Sequence, residues 1–146
     1  MTPQNAEIAR RWCTAMEQGP EETRAALADF ADPDFDFYPV GKYPDAQPCH
    51  GQEEFFQFLL RFWDSYSQSA WAIKKVIEVD DHRVLVLANL QAEGRASGMN
   101  LEGDVYICFW FRHGRFFRLE NHVTLRGAIH SMGLEGETLE AAGLSE

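Results

Sequence analysis

The sequence predicts a single α+β domain in which helices pack on one face of a mostly antiparallel sheet. Its 146 residues are about the length of one domain. Apolar residues recur at helical spacing through the first half of the chain, whereas from residue 71 they alternate with a period of two. A run of helices followed by a run of strands is typical of α+β proteins, in which neighbouring strands pair antiparallel.

Composition excludes several classes of protein. A chain with 45% hydrophobic and 13% aromatic residues has enough apolar surface to build a core, so it is not intrinsically disordered. The net charge of −10 would repel nucleic acid. No apolar run approaches the ~20 residues of a membrane helix, and the N-terminus lacks a signal-peptide pattern. The cysteines, Cys13, Cys49 and Cys108, are odd in number and lack C-x-x-C spacing, so we expect reduced thiols in a cytoplasmic protein.

Two helices are predicted before the first strand. Thr2-Pro3 is typical of an N-cap followed by the first helical position. Apolar residues recur after it at helical spacing, namely Ile8, Trp12 and Met16. Gly19-Pro20 ends this helix. A shorter helix is predicted over 21–30 and ends at Asp32-Pro33.

A short strand, a long loop and a third helix follow. The alternation in 35–38 predicts the strand. The loop over 40–51 holds Tyr43 and is long for a connection inside a compact domain; such loops are often lids or binding loops. The clearest helix of the chain is predicted over 52–66. One of its faces is a mainly aromatic stripe formed by Phe55, Leu59, Phe62, Trp63 and Tyr66.

Four longer strands complete the predicted sheet, at 71–78, 83–93, 101–112 and 116–125. His113-Gly114 fits a two-residue hairpin turn because glycine tolerates a positive φ. One or two short helices are predicted over 127–144. Residues 135–146 contain four acidic residues and no Lys or Arg, so we expect an acidic, solvated C-terminal helix or tail.

The last two strands each present one mainly apolar face and one mixed face. The rows predicted to face the helices are Val105, Ile107, Phe109 and Phe111, and Phe117, Leu119, Asn121 and Val123. The opposite face then holds Tyr106, Trp110, Arg118 and His122. Because this face is too aromatic to lie open to water, we predict a homodimer through Tyr106, Trp110 and Arg118.

Three stretches of the sequence carry a family resemblance. They read FADPDFDFYP at 30–39 with HGQE at 50–53, GRASG at 94–98 leading to FWFRHGR at 109–115, and LEAAGL at 139–144. With these stretches the chain resembles the SnoaL-like bacterial branch of the nuclear transport factor 2-like superfamily. The resemblance implies a curved sheet wrapped on the N-terminal helices, a cone-shaped α+β barrel with a pocket at its open end, usually dimeric. That scaffold hosts isomerases, epoxide hydrolases, polyketide cyclases, dehydratases and non-catalytic modules, so it does not define the function.

Compared with the enzymes of that superfamily, this chain lacks the familiar catalytic groups. Ketosteroid isomerases place a carboxylate base where this chain has Tyr38, and a protonated acid where it has Ile107. Limonene-type epoxide hydrolases have an aspartate at the position of Asn121. SnoaL-type cyclases rely on an Asp and a His near the pocket, for which Asn121 and His122 are the candidates. The resemblance therefore implies a pocket without a familiar base or oxyanion donor.

Three residues are the candidates for catalysis. Tyr38 opens the long loop, and its hydroxyl would donate to a ligand carbonyl; the alternative is a tyrosine at the edge of the core. Asn121 is the polar member of an apolar row and needs either an internal hydrogen bond or a ligand. His122 would be a base in the pocket if the strand register shifted by one residue, since the alternation points it outward.

Eight further residues are candidates for ligand binding: Trp12, Tyr43, His50, Phe55, Leu59, Ile107, Phe109 and Leu119. Each has a packing alternative, which for His50 is helix entry or capping. The five histidines show no H-x-H or H-E-x-x-H spacing, and there is no phosphate loop or G-x-S-x-G motif. We therefore expect neither a metal nor a cofactor.

Two kinds of function remain compatible with these residues. The first is an apolar pocket for a small cyclic or aromatic organic molecule, used by a cofactor-independent isomerase, cyclase or hydrolase. The second is a non-catalytic module that binds a ligand or serves as a dimeric accessory or interaction protein. The sequence leaves open whether the chain is an enzyme.

Overall fold

The computed structural model describes residues 5–39, 48–94 and 100–134, which form four helices and six strands. The helices are α1 (Asn5–Gln18), α2 (Pro20–Phe30), α3 (Gly51–Ser65) and α4 (Leu125–Met132). The strands are β1 (Ala31–Pro39), β2 (Cys49–His50), β3 (Tyr66–Glu78), β4 (Arg83–Gly94), β5 (Asn100–Arg112) and β6 (Arg115–His122). The predicted α+β class is confirmed. The predicted loop residue Tyr43 and the predicted acidic tail over 135–146 lie outside the described residues.

The six strands form one sheet in the order β2-β1-β6-β5-β4-β3. β1 runs parallel to β6, and every other neighbouring pair is antiparallel. The tight turn between β5 and β6 has φ of 52° at His113 and 75° at Gly114. Two successive positive φ angles match the right-handed twist of a hairpin, which confirms the predicted turn. The sheet is therefore mixed but mostly antiparallel.

The two faces of the sheet carry different residues. On the inner face, β5 and β6 present Ile107 and Leu119 to the helices α1–α3, and the main core lies there. On the outer face, β6 presents Arg118 and Glu120. The apolar row predicted in β5 therefore faces the helices as expected.

The predicted inward position of Phe117 is wrong. Trp110 pairs with Arg118, but the next residue, Phe111, pairs with Phe116, so β6 contains one extra residue at this point. Such a bulge reverses the alternation on one side of it. Phe116 consequently points into the core with no exposed surface, while the Phe117 ring lies under the guanidinium of Arg112 at 4.7 Å.

Helix α4 adds a second, smaller core on the outer face of the sheet. It buries Leu85 and Cys108 of the sheet beneath residues of the helix and its exit, namely Ala128, Ile129, Met132 and Leu134. Tyr106 and Trp110 pack against this cluster and are half-buried. The aromatic character of this face is thus partly explained within one chain, and the homodimer through Tyr106, Trp110 and Arg118 stays a prediction.

Both ends of α4 are capped. At the N-terminus the Thr124 hydroxyl accepts a hydrogen bond from the Gly127 N–H at 3.0 Å. At the C-terminus Gly133 adopts the left-handed conformation, with φ of 68°, and its N–H and that of Leu134 satisfy carbonyls of the last turn. Arg83 of β4 donates to the carbonyl of Met132. The helix is therefore fixed to the sheet at its end as well as along its apolar side.

Removing the N-cap hydroxyl of α4 is expected to weaken the fold modestly. Thr124→Ala should lower the free energy of unfolding by about 1 kcal/mol, because the Gly127 N–H loses its acceptor. Urea denaturation followed by circular dichroism measures the change. Thr124→Ser keeps the acceptor and should stay close to wild type; equal losses in both variants would show that the cap contributes nothing.

No helix among the described residues is long and apolar enough to cross a membrane.

Candidate functional site

A pocket opens between the inner face of the sheet and helices α1 and α3. Its space is about 380 Å³ when the solvent at its mouth is counted. Its lining comes from both helices and four strands: Trp12, Met16, Phe37, Phe55, Phe58, Leu59, Phe62, Trp71, Ile107, Leu119 and Asn121. Six of these side chains are aromatic, four are aliphatic or thioether side chains, and one is an amide.

The aromatic walls are held by their own packing. The Phe37 ring contacts the rings of Phe55 and Phe58 with centroid distances of 4.6 and 5.4 Å. Trp12 lies 5.7 Å from Phe55 and 5.4 Å from Phe116, edge-on to the latter, and has no exposed surface. Tilted and edge-on pairs at these distances are the favourable geometry for aromatic rings. The walls are thus ordered before any ligand enters.

Asn121 brings the one strongly polar group to this lining. Among the lining residues of the described chain, no other has an amide, a hydroxyl or a charge in its side chain. The residue is 8% exposed, and it sits in β6 between Ile107 of β5 and Pro39 of β1. Its amide makes no side-chain hydrogen bond with another described residue. It therefore offers the pocket both an N–H donor and a carbonyl acceptor.

Six of the residues chosen from the sequence come together here: Trp12, Phe55, Leu59, Ile107, Leu119 and Asn121. Phe109 does not reach the pocket, which corrects its predicted place in the lining. It has no exposed surface and lies in the core between the rings of Phe111 at 5.9 Å and Phe116 at 5.6 Å.

Tyr38 lies on the outer face of the sheet, so its predicted place in the pocket is wrong. Side chains of a strand alternate, and the neighbouring Phe37 occupies the inner face. The Tyr38 ring instead lies beneath the guanidinium of Arg118, 4.3 Å from its carbon atom. The phenol cannot donate to a ligand held on the other side of the sheet.

His50 also lies away from the pocket, because it is Cys49 that turns inward in the two-residue strand β2. The His50 ring is exposed, with Nδ1 2.8 Å from Oδ1 of Asp36. That hydrogen bond and the charge of Asp36 raise the pKa of His50. The backbone N–H of His50 donates to Glu54 in the first turn of α3, which matches the alternative reading of helix entry.

His122 belongs to a buried polar cluster on the outer face rather than to the pocket. Its Nε2 lies 2.7 Å from Oε1 of Glu120, a carboxylate that is only 3% exposed. Ser131 of α4 donates to the same oxygen, and Nε of Arg118 donates to Oε2 at 2.7 Å. The outward direction predicted for His122 is confirmed, and it is not a base in the pocket.

The charge of Glu120 is stabilised by these partners. Burial by itself would raise the pKa of this carboxyl, but the hydrogen bonds from His122, Ser131 and Arg118 outweigh it and lower the pKa to about 2. The cluster joins β6 to α4 and has a structural role. Sequence reasoning placed Arg118 and His122 on this face, yet missed that Glu120 between them would be buried.

The remaining lining residues that sequence reasoning missed are Met16, Phe37, Phe58, Phe62 and Trp71. Phe58 and Phe62 lie three and seven residues after Phe55 on α3, so helical spacing already connected them. The alternation in 35–38 connected Phe37 to the inner face. For Trp71 no local signal exists, since its position depends on how β3 curves past α1.

The thiols provide no nucleophile. Burial, assisted by the charge of Glu17, raises the pKa of Cys13 to about 12. Burial raises the pKa of Cys49 and of Cys108 as well. Thiols that stay protonated are poor nucleophiles and metal ligands. The described part of the chain also has no group of three side chains suited to holding a metal ion.

Comparison with solved structures shows the same fold in several proteins. Bal32a, from a soil-derived mobile gene cassette, is 25% identical with a TM-score of 0.73, covering 86% of this chain and 92% of that one. A putative SnoaL-like polyketide cyclase from Jannaschia sp. CCS1 is 15% identical with a TM-score of 0.70, covering 92% and 95%. TerC, co-crystallised with polyporic acid, is 20% identical with a TM-score of 0.68, covering 87% and 95%. The latter two show the fold alone.

The family assignment rests on the sequence as well as the fold. No curated protein matches the chain. Residues 9–119, which span α1 to the middle of β6 and most of the pocket lining, match the SnoaL-like domain. The predicted resemblance to SnoaL-like proteins is confirmed, and this chain belongs to the SnoaL-like domain family.

Proposed function

We propose that this chain binds a small cyclic or aromatic organic molecule in the pocket between α1, α3 and the sheet. The observation that carries the proposal is a lining of six aromatic and four apolar side chains that includes one amide. Ligand sites are typically apolar, with a few polar groups that orient the bound molecule. Rings of the ligand would pack against Phe58, Phe62 and Trp71, the aromatic lining residues that keep some exposed surface.

The lining limits the chemistry that such a site supports. An amide such as Asn121 orients a water molecule or polarises a carbonyl, but it does not take up a proton. Cofactor-independent isomerisation, cyclisation or hydrolysis here would therefore depend on the shape of the pocket and on this amide. Because no titratable side chain lines the described pocket, non-catalytic binding is the second candidate function.

The comparisons support the proposal at the level of the fold. A putative SnoaL-like polyketide cyclase and TerC, which was co-crystallised with polyporic acid, share this architecture. Both lie below 25% identity, so the ligand of this chain must be argued from its own lining.

Indole N–H signals in a ¹⁵N-labelled sample test the proposal directly. Trp12 and Trp71 line the pocket, whereas Trp110 lies on the outer face. We expect p-xylene, an uncharged single-ring probe, to shift the signals of Trp12 and Trp71 and to leave that of Trp110 in place. Shifts confined to Trp110, or no shifts at saturation, would contradict binding in the pocket.

A variant that fills the pocket gives the matched control. Ile107→Phe places a ring into the floor and should weaken binding of p-xylene about tenfold or more, because the bound ring and the new side chain compete for space. Tyr106→Phe, at the neighbouring position on the outer face, should bind as the wild type does. Equal affinity of all three proteins would mean that the probe binds elsewhere.

A further inference from the structure

We propose that Asn121 determines the specificity of the pocket and selects an uncharged ring molecule that carries a hydroxyl or a carbonyl group. The inference rests on the proposed function, since it names the class of ligand for the same site. Asn121 is 8% exposed and lines the pocket beside Ile107 and Leu119. Its amide makes no hydrogen bond with another described residue. Because no fully buried side-chain N or O atom of the described chain lacks a partner, the amide keeps contact with the solvent of the pocket. A ligand with a hydroxyl or carbonyl group replaces that solvent as the hydrogen-bond partner of the amide, and the apolar walls around it strengthen the bond.

The position of the amide is fixed by the sheet. Asn121 pairs with Ile107 of β5 and with Pro39 of β1, so its backbone is held on both sides. The residues before and after it, Glu120 and His122, are tied to each other on the outer face at 2.7 Å. The backbone on both sides of the amide is therefore held, and the amide moves only by rotation of its own side chain. The ligand must bring its polar group to the amide.

The charge distribution argues against an ionic ligand. The charged residues of β6 nearest to Asn121 are Arg118 and Glu120, and they pair with each other across the sheet from the pocket. The described lining contains no side chain that could neutralise a carboxylate or an ammonium group. Moving an unpaired charge into an apolar site costs far more than an amide hydrogen bond returns. The net charge of −10 disfavours anions further.

A side-chain amide can form a hydrogen bond with either a hydroxyl or a carbonyl group. Its carbonyl oxygen accepts from a phenol or an enol, and its N–H donates to a ketone, quinone or ester oxygen. Both classes are therefore compatible with this site. An apolar hydrocarbon occupies the same space but makes no hydrogen bond with the amide. Its affinity is therefore the reference against which the contribution of Asn121 to binding is measured.

Three probes of the same shape test the assignment in the full-length protein. They are p-cresol, p-xylene and 4-methylbenzoate, which place a hydroxyl, a methyl group and a carboxylate at one end of the same ring. Binding is followed by the indole signals of Trp12 and Trp71 in the wild type and in Asn121→Leu, which has nearly the same volume without the amide. Benzylammonium serves as the cationic probe.

We expect Asn121→Leu to weaken p-cresol about tenfold while p-xylene binds as well as before or better, because the variant loses one hydrogen bond and no volume. Neither 4-methylbenzoate nor benzylammonium should bind the wild type at concentrations that saturate it with p-cresol. An unchanged ratio of p-cresol to p-xylene affinities in the variant would overturn the assignment, as would an ionic probe that binds as tightly as p-cresol. In either case p-xylene binding would still support the pocket, whereas failure of both neutral probes would overturn the proposed function as well.

Discussion

Replacing Phe116 with alanine is expected to lower the free energy of unfolding by about 3–5 kcal/mol, the largest effect of any single change considered for this chain. Phe116 has no exposed surface. Its ring meets Trp12 at 5.4 Å, Phe35 at 5.7 Å and Phe109 at 5.6 Å, all edge-on or nearly so. Alanine would leave a cavity among rings that belong to α1, β1 and β5, and rigid rings collapse poorly into such a space. Urea denaturation at constant pH gives the change directly.

Phe117→Ala is the matched control, since it removes the same ring one residue away. That ring is only partly buried and lies on the other side of the strand, under Arg112. We expect a loss of about 1 kcal/mol or less, as for other substitutions near the surface. If the two variants lost equal stability, or if Phe117→Ala lost more, the bulge in β6 would be in the wrong place.

Phe116 and Phe117 also show where strict alternation no longer predicts the face of the sheet on which a side chain lies. The alternation in β5 placed Ile107 and Phe109 on the inner face correctly, because β5 contains no extra residue between them. In β6 it placed Asn121 correctly and Phe117 incorrectly. The reason is that the bulge lies between Phe116 and Arg118. A bulge depends on how two neighbouring strands pair, which the residues of one strand do not specify.

The long loop after Tyr38 favours a place for this residue in the pocket, whereas alternation counted from Phe37 places it on the outer face. His122 was directed outward by the same alternation, and that direction is correct. When one face of a sheet is buried, the alternation along a strand therefore predicts the direction of a side chain better than its position next to a loop does. The pocket itself was implied by apolar residues in α1 and α3, whereas its closure by Trp71 depends on contacts between distant parts of the chain.

The outer face was least predictable from the sequence. Its aromatic residues indicated a covering partner, and part of that cover is α4 from the same chain. Helix α4 packs there because its apolar residues Ala128, Ile129 and Met132 meet Leu85 and Cys108. Nothing in the order of the elements decides between a helix of the same chain and a second subunit. Only the packing in three dimensions makes that choice.

The charge of Glu120 is expected to make stability fall steeply in acid. Its pKa is about 2 in the folded protein against an ordinary value of 4.5. A carboxyl whose pKa is lowered by folding contributes stability at pH values above its unfolded pKa, and that contribution disappears as the pH falls through the folded pKa. The difference corresponds to about 3 kcal/mol, lost progressively between about pH 4.5 and pH 2. Denaturation midpoints measured across this interval would show the decline.

Glu120→Gln separates this carboxyl from the other acidic groups of the chain. Glutamine keeps the shape and accepts from Ser131, but it loses the charge that holds Arg118 and His122. At neutral pH the free energy of unfolding of the variant should be lower by about 2–3 kcal/mol. The loss is limited because the Arg118 side chain is 40% exposed, so water can hydrate its charge when the carboxylate is gone. Between pH 4.5 and pH 2 its stability should decline less than that of the wild type, so that the two curves converge in acid. Parallel curves would assign the acid sensitivity to other carboxyls and would mean that the cluster fixes α4 to β6 through shape rather than through charge.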